Sequence, residues 1–213
     1  MELIDTHSHI YAEEFDGDRE EALARARAEG VGKLLLPAID AESDERMFDL
    51  ARAEAGYCYA MMGLHPTSVN DNPRWREELQ RVERYFAAPP AGVEFCAVGE
   101  IGLDYYWSED FKAEQREAFV EQCRLAVRLD LPVVIHTRSA WDDMCDILEA
   151  ETARAATRGE RLRGVLHAYS EDASTYRRLK ECGDWLFGVG GVVTYKKSLL
   201  AEAVKGMALE DIV

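Results

Sequence analysis

The chain has 213 residues, 47% of them hydrophobic, and a formal charge of −16 from 25 basic and 41 acidic side chains. That length can bury one substantial core, and no apolar run approaches the roughly 18 residues of a membrane span. The acidic balance excludes a broad electrostatic grip on nucleic acid, which needs clustered Lys and Arg, but leaves room for a small site where metal ions supply the positive charge. The opening Met1-Glu2-Leu3-Ile4-Asp5 has neither a basic region nor a small-residue cleavage site, so a cytoplasmic protein is expected. Five widely spaced cysteines without a Cys-x-x-Cys pattern read as reduced, mostly buried small hydrophobes.

In chain order, apolar strand-like runs alternate with helical patterns. Residues 2–6 form a short strand ending in His7-Ser8-His9. Asp18 followed by Glu21 has the form of a capped helix start, with the helix stopping at Gly30. Strand two covers residues 33–37, continuous in apolar residues as expected when both faces are covered. A helix over 42–54 and a strand over 57–64 deliver His65-Pro66. In the helix over 73–87, Trp75, Leu79, Val82 and Phe86 share an inward face. Strand four, residues 95–99, ends in Glu100-Ile101-Gly102-Leu103-Asp104-Tyr105-Tyr106. The helix over 111–129 has the clearest periodicity, with Phe119, Cys123, Ala126 and Leu129 on one stripe. Strand five (131–135), a helix (140–158), strand six (164–166), a helix (172–182), strand seven (185–190) and a shorter helix (198–205) follow. Ile212-Val213 reads as the opening of an eighth strand.

The five histidines, His7, His9, His65, His136 and His167, each stand at the end of an apolar run, and so does Glu100. Scattered surface histidines would not keep this address. In a barrel of parallel strands all these ends surround one opening, where such barrels keep their chemistry. His7 and His9, one residue apart on an extended segment, point to the same side and can share one ion. Neutral imidazoles with a carboxylate suit divalent ions such as Zn, Mn or Mg. The expected fold is α/β, a TIM-type (β/α)8 barrel over residues 1–213 as one domain, here lacking the eighth strand and helix.

The segments Asp5-Thr6-His7-Ser8-His9, Gly63-Leu64-His65-Pro66, Gly99-Glu100-Ile101-Gly102-Leu103-Asp104-Tyr105-Tyr106, Leu131-Pro132-Val133-Val134-Ile135-His136-Thr137-Arg138 and His167-Ala168-Tyr169-Ser170 resemble, in this order, the TatD family of metal-dependent deoxyribonucleases. The resemblance covers essentially the whole chain. It implies two divalent metal ions: His7 and His9 hold one, Glu100 bridges both, and His136 and His167 hold the second. A metal-activated water would then cleave phosphodiester bonds at DNA ends or in short single-stranded DNA, with Glu100, His65 and Arg138 as catalytic residues; a monomer is expected, though not from the resemblance.

His65 is by similarity a substrate-side residue; a structural histidine is the alternative. Asp104 and Tyr106 follow Glu100 closely enough to line the opening and touch substrate, and Asp104 could also orient a ligand histidine; a turn cap and loop packing are the other reading. Arg138 offers a planar fork to a phosphate, or else a structural ion pair to a nearby Glu. Lys196, beside Lys197 after strand seven, is a second candidate phosphate contact, with a solvated surface pair as the equal alternative.

Two departures from the family pattern bear on function. His167-Ala168-Tyr169-Ser170-Glu171 replaces the usual His-Cys-Phe-Ser-Gly, adding a negative charge near a phosphate site. The Glu-Thr-Asp motif of strand eight, whose aspartate ligates the first metal in the family, is absent from these 213 residues. Weak first-site metal binding and little activity are expected of the 213 residues alone, with recovery on adding roughly 45 residues to reach the usual barrel length of about 250. A binuclear amide, ester or lactone hydrolase and a non-catalytic barrel remnant are the alternative functions.

Overall fold

The computed structural model describes residues 2–213. Seven strands, β1 (Leu3–Asp5), β2 (Val31–Leu36), β3 (Cys58–Met62), β4 (Phe95–Asp104), β5 (Val133–Arg138), β6 (Arg163–Leu166) and β7 (Asp184–Phe187), pair in sequence order. Every neighbouring pair is parallel. The crossovers carry α1 (Arg19–Ala28), α2 (Asp44–Ala53), α3 (Trp75–Ala87), α4 (Lys112–Leu129), α5 (Trp141–Ala156) and α6 (Ala173–Cys182), and α7 (Leu200–Ala203) follows β7. This is the wall of a TIM-type barrel, with seven of its strands present. Among the described residues, no helix is long and apolar enough to cross a membrane.

Strand composition follows from burial on both faces. Leu34 and Leu36 sit in one of two large hydrophobic clusters, and Val133 and Ile135 in the other. Met61, Ala97 and Val134, with Leu35 and Cys96 against them, fill the inner face. Trp75, Leu79 and Val82 are buried as their spacing predicts, and Phe86 packs half-buried beside them. The α4 stripe is fully buried at Phe119, Cys123 and Ala126 but opens to solvent at Leu129, next to the left-handed Asp130 that ends the helix.

Several boundaries differ from the sequence reading, β5 covering Val133–Arg138 rather than 131–135 and β3 stopping at Met62 rather than 64. Asp18 makes no capping hydrogen bond; its carboxylate faces Arg25 at 3.5 Å instead. β4 does not stop at Gly99 but runs to Asp104, because a bulge absorbs Glu100. β7 ends at Phe187 rather than 190, where Gly188, Gly190 and Gly191 take the chain out of the sheet. The helix expected over 198–205 is one α turn that tightens into a 3-10 turn over Val204–Gly206. Ile212 forms a single parallel bridge with Phe187, the pairing expected of an opening strand.

Candidate metal centre at the strand ends

Side chains alternate along a strand, so residues two beyond an inward-facing one return to the barrel interior. Val134 faces inward, and His136 follows it by two; Met61 does likewise, and His65 follows it by four. On β4 the register passes from Gly99 opposite Val134 to Ile101 opposite Ile135, leaving Glu100 without a partner. Such a bulge re-aims a side chain, and Glu100 points into the cluster with only 4% of its surface exposed.

Around that carboxylate the imidazoles converge. His7 Nε2 lies 3.2 Å from Glu100 Oε2, and His9 Nε2 4.0 Å from the same oxygen. His136 Nδ1 lies 3.3 Å from Glu100 Oε1. The His167 ring stacks on His7 with centroids 3.3 Å apart, and the His65 ring meets His136 edge-on at 4.7 Å. Ligand atoms within 4.8 Å of one another fall into two sets, His7 with Glu100 and His167, and His65 with Glu100 and His136. The expected partition placed His167 with His136 and kept His65 out of both sets; here His167 lies against His7.

Hydrogen bonds decide which nitrogens can bind a metal. The Thr67 backbone N–H donates to His65 Nδ1 at 3.3 Å, which puts the proton of a neutral His65 on Nε2. His65 thus presents a donor rather than a lone pair, despite its proximity to the second set. Asp104 Oδ2 accepts from His136 Nε2 at 2.9 Å, leaving His136 Nδ1 as the lone pair toward Glu100. The Tyr11 hydroxyl donates to Pro37 O at 2.5 Å, so its oxygen accepts from His9 Nδ1 at 3.3 Å and the His9 lone pair sits on Nε2.

His7 Nε2 and His9 Nε2 are 3.2 Å apart. A tetrahedral site with bonds of about 2.05 Å has edges of about 3.3 Å, so the pair has the spacing of two ligands on one ion. His7 Nδ1 is buried without a hydrogen-bond partner. A proton on Nε2 leaves that atom a stranded acceptor, and a proton on Nδ1 leaves it a stranded donor while turning three lone pairs toward one point. A cation at the Nε2 apex relieves this convergence, and the donor set fits a divalent metal.

The electrostatics are consistent with that arrangement. Burial alone would raise Glu100, but the His136 and His7 rings facing its two oxygens outweigh it and hold the carboxyl well below its ordinary value. Burial lowers His136, yet its bonds to Glu100 and Asp104 leave it raised overall. Burial pushes His65 and His167 down to about 4, with His7 adding to the effect on His167. An unfolded imidazole takes its proton near pH 6.5, so between about 6.5 and 4 these two groups bind more protons unfolded than folded. The metal-free protein should therefore lose stability as pH falls through that window, with His136 offsetting part of the loss. Urea midpoints measured in chelator across the window check this; a midpoint that rises toward pH 4 contradicts it.

Of the remaining predicted residues, Asp104 is 1% exposed and serves the strand-end cluster, while Tyr106 is 56% exposed at the mouth. Arg138 makes no ion pair among the described residues; its guanidinium lies over the Tyr106 ring at 3.6 Å. Lys196 is exposed on the turn after the 3-10 segment Gly191–Thr194 and pairs with no carboxylate of the cluster.

Three supporting residues were not anticipated. Tyr11, 1% exposed, holds His9. Gln122 grips the end of β3 beside His65, accepting from Leu64 N at 2.7 Å and donating to Leu64 O at 3.1 Å. Gln115 does the same for the end of β4, with Asp104 N at 2.7 Å and Asp104 O at 2.9 Å. Both glutamines are fully buried on α4, four before and three after Phe119, so their position on the apolar stripe was the available signal.

A curved wall of parallel strands whose C-terminal ends gather imidazoles around one carboxylate is the architecture of a metal-dependent hydrolase. The TatD related DNase family matches residues 4–213. The metal-dependent hydrolase YabD of Bacillus subtilis is 33% identical over 200 residues, which cover 92% of this chain and 71% of that protein. The 3'-5' ssDNA/RNA exonuclease TatD of Cronobacter turicensis is 34% identical over 206 residues, covering 95% and 72%. The crystal structure of YjjV, a TatD homolog from Escherichia coli K12, superimposes with a TM-score of 0.84 at 32% identity over 99% of this chain and 77% of that one. The chain belongs to the TatD family of metal-dependent hydrolases.

Proposed function

We propose that the protein is a deoxyribonuclease that hydrolyses phosphodiester bonds at the ends of DNA or in short single strands, using two divalent ions. The observation that carries this reading is an arginine fork free of carboxylate partners, Arg138, two residues beyond His136 at the rim of an imidazole and carboxylate cluster. In a chain with 41 acidic residues a free fork at the mouth marks a place for an anion. The exonuclease named among the relatives supports the same substrate class.

His7 and His9 would hold one ion through Nε2, with His167 stacked on His7 in the same set, His136 would hold the second through Nδ1, and Glu100 would serve both. Ions bound there lower the pKa of water and neutralise charge on a phosphodiester under attack. Asp104 fixes the His136 tautomer, and Tyr11 fixes that of His9. His65 offers Nε2–H to an oxygen of the substrate, and Arg138 clamps a phosphate oxygen. Buried Glu100, held well below the ordinary carboxyl value, keeps a negative charge at the centre of the cluster, and lowered His65 and His167 stay neutral beside it.

Because partners of ligand histidines tune affinity by about 10- to 100-fold, Tyr11→Phe is expected to weaken Mn binding at the His7 and His9 position about tenfold. Calorimetric titration reads that change, and an unaltered Kd would remove Tyr11 from the role. The functional reading itself is tested by incubating the protein with a labelled single-stranded oligodeoxynucleotide and added Mg or Mn. Slow shortening that stops on chelation is expected; an intact strand beside rapid hydrolysis of a carboxylic ester or lactone would replace the nuclease reading with that chemistry.

A further inference from the structure

Trp107 stands apart from the other three tryptophans. Trp75 and Trp185 are 4% and 0% exposed, and Trp141 packs against Tyr169, whereas Trp107 is 68% exposed. It is also not loosely placed. Pairing of β4 with β5 continues to the bond from Tyr105 N to Arg138 O at 3.0 Å, and the Tyr105 hydroxyl is tied to Asp143 at 2.7 Å. Tyr106 N then donates to Asp104 Oδ1 at 3.0 Å, turning the chain outward at the mouth. One carboxylate, Asp104, therefore anchors both this turn and His136.

The two outward rings form a corner. Tyr106 and Trp107 meet edge to face, centroids 5.0 Å apart and planes at 87°. The Arg138 guanidinium covers Tyr106 at 3.6 Å and reaches Trp107 at 5.5 Å. Arg84 and Arg177 on the outer helices also lack a carboxylate partner among the described residues, but Arg138 alone of the three lies over an exposed aromatic ring at the mouth of the cluster. A flat apolar face beside a free guanidinium fork complements one nucleotide, its base on the ring and its phosphate on the fork.

Resting on the nuclease reading above, we propose that Trp107, with Tyr106 and Arg138, is a base-stacking platform that seats an unpaired nucleobase next to the phosphate being cleaved. Stacking tolerates any base because every base has a π-face. A base inside a duplex has both faces covered by its neighbours, so the platform favours unpaired bases without selecting sequence.

The test is equilibrium binding of a labelled, cleavage-resistant phosphorothioate oligothymidylate to the full chain in Mn, beside the same backbone lacking its bases. Trp107→Ala should weaken binding of the base-carrying strand about tenfold, Trp107→Phe should stay within about twofold of the parent, and the abasic strand should respond to neither by more than about twofold. Equal weakening of both strands, or no weakening of either, overturns the platform. Binding of the base-carrying strand that depends on Trp107, in a protein that leaves ordinary DNA uncut, would keep the platform and remove the nuclease reading. A parent protein that binds neither strand overturns both.

Discussion

Glu100→Gln should lower metal-dependent hydrolysis on the order of 10³-fold, about 4 kcal/mol at 1.36 kcal/mol per decade. Gln keeps the shape of the side chain and removes its charge, so packing in this buried position is preserved while the anion between His7, His9 and His136 is lost. Lewis-acid stabilisation of the reacting phosphate by a bound ion amounts to several kcal/mol, and both proposed ions lose their shared anionic ligand together. A neutral amide also brings an N–H₂ donor toward nitrogens that must keep their lone pairs. The variant should fold normally by circular dichroism and bind fewer ions; full activity at saturating Mn would show that Glu100 is structural.

Gly102→Ala should cost about 4 kcal/mol or more, at the diagnostic extreme for single substitutions. Gly102 holds φ at +147°, and a Cβ there would stand 1.9 Å from the carbonyl oxygen of His136, its cross-strand partner. That oxygen belongs to a central strand and cannot withdraw without moving the ligand imidazole. The expected result is either failure to accumulate soluble protein or a urea midpoint displaced far below the parent, with metal binding lost before the fold. An alanine variant within about 1 kcal/mol of the parent would contradict the register assigned to β4 and β5.

The two predictions touch different layers of what was readable in advance. Histidines and Glu100 were legible by address, since polar residues ending apolar runs stand out against both strand and helix patterns. The bulge at Glu100 was not, because its cause is a cross-strand register that no local pattern carries. Which imidazoles neighbour which depended on barrel curvature and rotamers, and so His167 came to lie on His7. Gln115, Gln122 and Tyr11 escaped notice for a related reason: a polar side chain on an inward face reads as an interruption until the backbone group it satisfies is known. The helix expected over 198–205 spans about two turns, too few to hold α geometry throughout, and it tightens into a 3-10 turn from Val204. For Arg138 the sequence offers a phosphate or a glutamate as partner, and among the described residues it pairs with no carboxylate and lies over Tyr106.

The most direct measurement is the divalent metal content per chain, by elemental analysis after equilibration with Mn or Zn and removal of free ion. The account predicts at least one retained ion per chain, with the His7 and His9 position the weaker of the two, and less metal when Glu100 is replaced by Gln. A folded protein that retains none under these conditions would contradict a metal centre at the strand ends.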